Sequence, residues 1–464
     1  MATLGRSPGH RQSPSTPQDL DVQIEEMSVD GDGIAHYGRL TIYVPFTIPG
    51  ERVRVRVGRS DRGRASATLV EVLQRSPHRV AARCAHFEAC GGCTWQHIAY
   101  PEQLRLKTRM VDRLVRAEVP DAPPAAPMLA PDARNPWAFR QKVHFVFAEG
   151  AGRRGSRDLL MGHYARNSRR VVNVTECPVH DARGNELAFA VHRQLARARI
   201  QADSGQGAAL QSLTVRAALN SDELMATLAV SHETDRHLRT ATRKAMELAP
   251  ARTSFHLNLH DRDDGYIFGA RTRTLKGAER LREDVGGASY LISPTAFFQT
   301  NVRAAELLVS QVLAAMPPSP SRVLDLYAGA GLFAIPLARA GHIVTAVESN
   351  RQAVADGLAS ARLNRLTDDQ CRFVVSRTEN AVSTSSRVDV VVIDPPREGC
   401  APGVVEAIFG RLKPSRVVYV SCNPEALASD LGAIVGLGYH VRSLVPVDMF
   451  PHTAHIETVA VLAR

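Results

Sequence analysis

The sequence predicts an α/β protein with a doubly wound parallel sheet at its C-terminal end, a mixed α+β central domain, and a small β-barrel at its N-terminal end. Strand and helix patterns alternate from residue 317 onward, as in parallel βαβ units. Four short alternating segments separated by turn residues lie within residues 19–75, a pattern typical of a small barrel. A length of 464 residues corresponds to roughly three domains. We therefore expect a disordered tail at 1–18, the barrel at 19–78, the central domain at 79–290 and the C-terminal domain at 291–464.

The composition is that of a soluble globular protein, with 44% hydrophobic and 22% charged residues. No run of 18 apolar residues occurs, so we predict no membrane-spanning segment. Residues 1–18 lack the apolar core of a signal peptide, and seven cysteines in so long a chain do not indicate a disulfide scaffold. We expect a cytoplasmic monomer whose cysteines are reduced thiols, metal ligands or catalytic groups.

The N-terminal barrel, which we interpret as the OB type, carries a concentration of positive charge. The whole chain has a formal net charge of +10, and residues 51–83 contain nine arginines against three acids. Because side chains alternate along a strand, the arginines of residues 52–58 share one face and the valines share the other. Six arginines form or extend this face: Arg52, Arg54, Arg56, Arg59, Arg62 and Arg64. The pattern favours contact with nucleic acid over a merely solvated strand face.

The central domain opens with a cluster of cysteines. Cys84, Cys90 and Cys93 are followed by a predicted helix over 103–118, and Cys177 lies much later, directly before a proline. Three close ligands and one distant ligand differ from the two close pairs of a zinc ribbon. The pattern favours an iron–sulfur cluster of the [4Fe–4S] type. A tetrathiolate zinc site and unliganded thiols remain alternatives.

A nucleotide-binding pattern follows the first strand of the C-terminal domain. The segment from Asp325 to Gly331 contains two glycines that let the backbone turn tightly and approach a ligand. The second strand ends at Glu348, an acid suited to accept hydrogen bonds from both ribose hydroxyls. These features predict an adenosine ligand, either NAD or S-adenosylmethionine.

Two later strand ends favour methyl transfer. The fourth strand is followed by Asp394-Pro-Pro, a turn typical of methyltransferases, and Arg397 stands where amino-group methyltransferases place an aromatic residue. The fifth strand is followed by Cys422, which the fold brings to the same crevice as Asp394. We interpret Cys422 as a candidate nucleophile, with a small buried hydrophobic residue as the alternative. Glu457, in a C-terminal β segment, is a candidate base or a solvated strand residue.

Together these motifs resemble the uracil-C5 RNA methyltransferases that carry an N-terminal TRAM domain and an iron–sulfur cluster. The resemblance covers residues 19–464. It rests on these segments: Pro49-Gly50-Glu51, Cys84 to Cys93 with Gln96 and His97, Cys177-Pro178, Phe297-Phe298-Gln299 with Asn301, Asp325 to Gly329, Asp394 to Gly399, Ser421 to Pro424, and His455 to Glu457.

The resemblance implies a set of roles. The C-terminal domain would be a Rossmann-like methyltransferase domain in which Cys422 is the nucleophile and Glu457 the base. Four further residues would surround S-adenosylmethionine and the target base: Gln299, Tyr327, Glu348 and Asp394. The iron–sulfur ligands would be Cys84, Cys90, Cys93 and Cys177. Leu332 and Arg377 depart from the family pattern near the cofactor.

The implied reaction starts with addition of the Cys422 thiolate to carbon 6 of uracil, because carbon 5 alone is a poor nucleophile. After methyl transfer, Glu457 removes the proton from carbon 5 and the thiol is eliminated. The base must leave its stack, so a loop or single-stranded uridine is expected, in ribosomal rather than transfer RNA. Cytosine-C5 methylation and a non-catalytic RNA-binding or folding factor are the alternatives.

Overall fold

The computed structural model describes residues 18–151, 157–203, 209–232, 236–261, 266–385 and 388–464. The predicted disordered tail at 1–18 lies outside these residues, apart from Gln18 at the start of the first strand. The chain forms two compact units, one of residues up to Ala81 with Thr94–Ala99, the other of Ala82–Cys93 with Tyr100–Arg464. Over the described ranges, no helix is both long enough and apolar enough to cross a membrane.

The first unit is a six-stranded β structure with strand order β1-β5-β6-β4-β3-β2 over the residues described. Its strands are β1 (Gln18–Gln23), β2 (Glu26–Met27), β3 (Gly33–Tyr37), β4 (Leu40–Val44), β5 (Arg52–Asp61) and β6 (Arg64–Gln74). The side chains of Val53 and Val55 in β5 are fully buried in its core, as the alternation predicts.

The arginine face of β5 is largely neutralised by acids of the neighbouring strand. Strand β1 pairs antiparallel with β5, which sets Asp21 opposite Arg54 and Asp19 opposite Arg56. The Nε atom of Arg54 lies 2.9 Å from Oδ1 of Asp21, and that of Arg56 lies 2.9 Å from Oδ1 of Asp19. These ion pairs lower the net charge of the predicted arginine face, and they arise from a strand pairing that the sequence pattern does not reveal.

The second unit contains a seven-stranded sheet of order β13-β12-β11-β10-β7-β8-β9, as far as the structure describes it. Helices α2 and α3 pack against the apolar face of this sheet. The elements are α1 (Tyr100–Glu118), β7 (Lys142–Ala151), β8 (Arg157–Tyr164), β9 (Val171–Asn173), α2 (Ala182–Arg197), β10 (Leu210–Ala217), β11 (Leu224–Val230), α3 (Arg236–Leu248), β12 (Thr253–Leu259) and β13 (Arg271–Lys276).

The C-terminal part contains a second seven-stranded sheet, of order β18-β17-β16-β19-β20-β22-β21 in the part of the chain described. Its first five strands are parallel and its last two are antiparallel to their neighbours. Preceding it are β14 (Leu281–Val285), β15 (Ala288–Ile292) and α4 (Val302–Ala314). Its strands are β16 (Arg322–Leu326), β17 (Ile343–Glu348), β18 (Cys371–Val375), β19 (Val390–Ile393), β20 (Arg416–Ser421), β21 (His440–Val447) and β22 (Glu457–Ala463).

Helices cover this sheet and complete the doubly wound architecture that the sequence predicts. They are α5 (Ala334–Arg339), α6 (Arg351–Leu363), α7 (Thr378–Thr384), a π-helical segment (Glu406–Leu412) and α8 (Pro424–Gly436). The central strands are apolar along most of their length because both faces are buried. The predicted fold class is confirmed.

Candidate active site

Four of the predicted site residues lie where neighbouring parallel strands end. Tyr327 directly follows β16, Asp394 follows β19, Cys422 follows β20, and Glu348 is the last residue of β17. Strands β17, β16, β19 and β20 are adjacent in that order, so these four positions line one edge of the sheet. The carboxyl edge of an open α/β sheet is where such folds bind ligands.

Glu457 reaches the same edge from the opposite chain direction. Strand β22 runs antiparallel to β20, and Thr458 pairs with Ser421. The first residue of β22, Glu457, is therefore next to Cys422, the residue that follows β20. The structure thus brings together the two residues that the sequence suggested as nucleophile and base.

Burial is the main cause of the raised pKa values at this edge of the sheet. Burial raises the pKa of Glu457 well above its usual range, and the charge of Asp394 adds to the shift while Arg397 opposes it. Burial raises the pKa of Asp394 to about 7. Burial, together with the charges of Glu457 and Asp394, raises the pKa of the Cys422 thiol to about 11. At neutral pH the thiol of the unliganded protein is therefore protonated.

Hydrogen bonds shape the turn that holds Cys422. The Oγ of Ser421 donates to the carbonyl of Asn423 at 2.9 Å, and the Asn423 amide donates back to Ser421 Oγ at 3.2 Å. The Asn423 side chain caps α8 by accepting from the Glu425 amide at 3.0 Å. Its Nδ2 also donates to the carbonyl of Arg397 at 2.8 Å, which ties this turn to the one after β19. Cys422 therefore sits on a turn that is held from both sides.

The glycine-rich turn after β16 is closed by Glu348. The amide of Gly329 donates to Oε2 of Glu348 at 3.0 Å, and the amide of Asn350 donates to Oε1 at 2.7 Å. Gly331 has φ +87°, and a Cβ there would lie 2.6 Å from the ring of Phe373. The Glu348 carboxylate is thus held in place and keeps lone pairs available for a hydroxyl donor.

Asp325, within β16, is the first residue of the predicted nucleotide-binding segment, but the sequence assigned it no role of its own. It is fully buried, and neither carboxylate oxygen has a hydrogen-bond partner of good geometry in the described residues; the backbone amide of Ala334 is the donor that stabilises its charge. Burial raises its pKa well above the usual range, and the charges of Asp394 and Glu348 add to this effect. An acid inside an otherwise apolar strand was the available signal, because such a group needs a partner.

Gln299 lies in the segment that leads into α4. Its side chain is buried, but in the described part of the chain it makes no hydrogen bond to the residues of the sheet edge. Asn301 caps α4 by accepting from the Ala304 amide at 3.2 Å, and its Nδ2 donates to the carbonyl of Met449 at 3.0 Å. The nearby side chain of Phe297 is 72% exposed, which is unusual for a large aromatic residue.

A buried polar cluster on α1 holds the segment that leads to Glu457. The Nζ of Lys107 lies 2.6 Å from Oδ1 of Asp448, and the Tyr100 hydroxyl donates to Oδ2 of Asp448 at 2.6 Å. The side chains of Lys107 and Asp448 are fully buried. The amide of His452 donates to Oε1 of Gln103 at 2.9 Å. Sequence reasoning missed this cluster, although its three helical members share one face of α1.

The four cysteines of the predicted cluster are half-buried, and none of them forms a disulfide in the structure as described. The charge of Cys84 acts on Cys90, and that of Cys90 acts on Cys177. The Gly92 amide donates to the Cys90 sulfur at 3.4 Å. Burial raises the pKa of Cys177 to about 11. These contacts bring Cys84, Cys90 and Cys177 into one neighbourhood.

The four thiols are not gathered into a formed metal site. Over the ranges described, no group of three or more His, Cys, Asp or Glu side chains is arranged so that it could hold a metal ion. The donor chemistry nevertheless fits an iron–sulfur cluster, because four thiols and an amide directed at a sulfur are present. The iron–sulfur cluster therefore stays a prediction.

Comparison with known families gives two matches. Residues 217–464 match the model of a family described as tRNA (uracil-5-)-methyltransferase. Residues 20–78 match the TRAM domain of tRNA (uracil(54)-C(5))-methyltransferase. The two matches fall in the second and first compact units, respectively.

Individual relatives cover almost the whole chain. A protein of Gloeobacter violaceus described as an uncharacterized RNA methyltransferase is 35% identical, over 96% of this chain and 97% of that protein. One of Halalkalibacterium halodurans with the same description is 32% identical, over 97% of this chain and 98% of that protein. The crystal structure of Pyrococcus abyssi tRNA (uracil-54, C5)-methyltransferase with S-adenosyl-L-homocysteine is similar with a TM-score of 0.76 and 27% identity, over 96% of this chain and 99% of that one.

Proposed function

Because this chain belongs to the tRNA (uracil-5-)-methyltransferase family and is an S-adenosylmethionine-dependent enzyme that methylates RNA, we propose that it acts through a covalent bond between Cys422 and carbon 6 of a uridine. The observation that carries this proposal is the position of Cys422 beside Glu457 at the carboxyl edge of the sheet. A nucleophile and a proton acceptor next to a ligand crevice are what this chemistry needs.

In the proposed mechanism, Cys422 loses its thiol proton to solvent, and the thiolate adds to carbon 6 and makes carbon 5 nucleophilic. S-adenosylmethionine supplies an electrophilic methyl group carried on a positively charged sulfur. Once carbon 5 carries both the methyl group and its proton, Glu457 removes that proton, and the electron pair of the carbon–hydrogen bond expels the Cys422 sulfur. The products are 5-methyluridine and S-adenosyl-L-homocysteine, and the enzyme is regenerated when Glu457 passes its proton to solvent.

The same pKa shifts give each acid a part in the proposal. Burial raises the pKa of Glu457, which favours its protonated form, and a positive charge nearby would favour the carboxylate, the form that can act as a base. The pKa of Asp394 is raised to about 7, so a substantial fraction of this group is ionised at neutral pH. The ionised carboxylate can accept a hydrogen bond from the N3–H of uracil. Cytosine has no such hydrogen, so a carboxylate at this position favours uracil.

Glu348 and Phe297 have binding roles in this proposal. Glu348 would accept hydrogen bonds from the ribose of the cofactor, because two backbone amides already hold its carboxylate. The exposed ring of Phe297 offers a surface on which an unstacked base can lie. Tyr327 directly follows β16 and Asp325 lies within it, and together with Gln299 they are the further candidates for cofactor contact.

Two RNA classes are candidates for the substrate. Ribosomal RNA is the class that we expect from the sequence, whereas the names of the family and of the Pyrococcus abyssi protein favour a uridine of transfer RNA. Purified full-length protein should therefore be incubated with methyl-labelled S-adenosylmethionine and, separately, with unmodified transfer RNA and ribosomal RNA. Nucleoside analysis identifies the product, and the class that yields 5-methyluridine is the substrate.

Two variants complete that experiment. Cys422→Ala should abolish 5-methyluridine formation, while Cys371→Ala should leave it near the wild-type level. Cys371 is a suitable control because it is a buried thiol at the opposite, amino-terminal end of its strand in the same sheet. A labelled product other than 5-methyluridine, or normal turnover by Cys422→Ala, would refute the proposal. No methylation of any RNA by wild-type protein would instead support a binding or folding factor.

We further propose that Cys84, Cys90, Cys93 and Cys177 hold an iron–sulfur cluster. The support is the set of four thiols and the position of Arg140, whose positive charge acts on both Cys90 and Cys177 and would balance the negative charge of a cluster. The cluster would stabilise the fold, since methyl transfer needs no electron. Protein purified without oxygen should be brown and contain about four irons. Stoichiometric zinc, or neither metal, would contradict the assignment, and Cys177→Ser should lower the iron content.

A further inference from the structure

Two positively charged side chains face each other in the central sheet, outside the active site described above. Lys142 of β7 pairs directly with Arg216 of β10. Arg216 is only 5% exposed, and Lys142 is half-buried. Burial, together with the charges of Arg216 and Arg140, lowers the pKa of Lys142 to about 7. Like charges in opposing positions destabilise a sheet, so this pair needs a compensating partner.

The surroundings supply little compensation. Among the described residues, a single acid acts electrostatically on this pair. It is Glu283, and its charge acts on Arg216 but not on Lys142. Its carboxylate already accepts hydrogen bonds from the amides of Leu219, at 2.7 Å, and Asn220, at 3.0 Å. Two buried or half-buried cations thus face a single acid that is engaged elsewhere. Such an excess of positive charge is the electrostatic signature of an anion-binding site.

The hydrogen-bond donors of the pair are weakly used. The Nζ of Lys142 donates to the carbonyl of Ala296 at 3.4 Å, and the Nη2 of Arg216 donates to the carbonyl of Phe298 at the same distance. Both distances exceed those of strong charge-assisted hydrogen bonds. The ammonium also lies 5.6 Å from the ring centre of Phe268, which holds it on one side. Donors therefore remain for an anion, and Lys142 keeps access to solvent.

The pair borders the segment that the proposed reaction uses. The Gln141 amide donates to the carbonyl of Thr300 at 2.6 Å. The Oε1 atom of the same glutamine accepts from the Val302 amide at 3.0 Å. This double contact fixes the start of β7 along the segment that contains Phe297 and Gln299. The cation pair therefore lies beside the loop that we assign to the target base.

We propose that Lys142 and Arg216 bind a backbone phosphate of the RNA strand that carries the target uridine. This inference rests on the proposed function, because it supposes an RNA substrate at this loop. A phosphodiester offers two charged oxygens, which suit a lysine ammonium and an arginine guanidinium side by side. The carboxylate of the cofactor's methionine part has the same chemistry, and the experiment separates the two sources.

The test measures binding rather than turnover, in a Cys422→Ala background that cannot react. Lys142→Gln is compared with Lys244→Gln, which removes the same charge from an exposed position on α3. The RNA probe is a single-stranded oligouridylate of about 12 nucleotides, titrated at several salt concentrations. A second titration with S-adenosyl-L-homocysteine measures the cofactor site.

Lys142→Gln should weaken RNA binding about tenfold and reduce the salt slope by about 0.7, the value for one phosphate contact on a single strand. Lys244→Gln should change neither, and both variants should bind S-adenosyl-L-homocysteine normally. Lys142→Arg should retain RNA binding, which separates loss of the contact from loss of folding. Unchanged RNA binding in Lys142→Gln would refute the inference, and weaker cofactor binding alone would assign the pair to the carboxylate. Absence of 5-methyluridine from wild-type reactions would refute only the proposed function.

Discussion

The raised pKa of Cys422 makes a quantitative prediction about when this thiol becomes reactive. Its pKa of about 11 means that about one thiol in 10,000 is ionised at pH 7 in the unliganded protein. The thiolate fraction rises tenfold with each pH unit until the pKa is reached. A positive charge bound about 5 Å away, at an effective dielectric constant of about 20, would contribute about 3 kcal/mol and lower the pKa by about two units.

Alkylation by iodoacetamide, followed residue by residue with mass spectrometry, measures this pKa. We expect the pH profile of Cys422 to have its midpoint near 11 in the unliganded protein. Sinefungin, which carries an amine in place of the sulfonium, should move the midpoint down by about two units. S-adenosyl-L-homocysteine, which fills the same site without that charge, is the matched control and should move it little.

Only the midpoint is compared, because either ligand could slow alkylation by covering the sulfur. A midpoint at or below the ordinary thiol value in the unliganded protein would refute the electrostatic reasoning. Equal shifts with the charged and the neutral ligand would show that desolvation, rather than charge, controls the thiol.

Three further predictions concern other parts of the molecule. Glu457→Gln should accumulate a denaturation-resistant RNA adduct that carries the transferred methyl group, seen by gel electrophoresis, whereas Cys422→Ala should form none; an adduct-free Glu457→Gln would exclude this residue as the base. Lys107→Met leaves the buried Asp448 carboxylate without its ion-pair partner, so the free energy of unfolding of the second unit, measured in urea, should fall by about 3–5 kcal/mol. A decrease of less than about 1 kcal/mol would contradict the burial of this pair. Charge reversal at the tip of the β5–β6 hairpin should lower RNA affinity and its salt slope more than reversal of Arg54, and equal effects would contradict the ion pairing of β5. The arginines at this tip are Arg59, Arg62 and Arg64. They have no ion-pair partner in the described residues, and they line a surface cavity of about 670 Å³.

The C-terminal sheet was predictable from the sequence because short segments of the chain are enough to identify each of its strands. Strands buried on both faces appear as short apolar runs, and β17 and β20 end at the residues that the sequence predicts. The residues that follow such runs fall at one edge by topology alone, which is why the order of the strand patterns was enough to place Asp394 and Cys422 near each other.

Contacts between distant parts of the chain could not be predicted in this way. Lys107 and Asp448 are 341 residues apart in sequence, and no periodic pattern links them. The ion pairs of Arg54 and Arg56 depend on β1 pairing with β5, a partner choice that alternation leaves open. The position of Glu457 beside Cys422 likewise depends on β22 entering the sheet antiparallel.

That antiparallel entry of β22 has a consequence for how this enzyme tolerates change in length. Cys422 and Glu457 are related by the hydrogen-bond ladder of two adjacent strands, so the intervening α8 and β21 can accept insertions in their exposed connections without altering the spacing of the pair. A single-residue deletion inside β22, between Thr458 and Val461, has a different effect. It shifts the part of the strand that precedes the deletion by one position, so that every side chain of that part, including Glu457, turns to the opposite face of the sheet. Activity should therefore survive a lengthened connection and be lost with one missing residue in the strand.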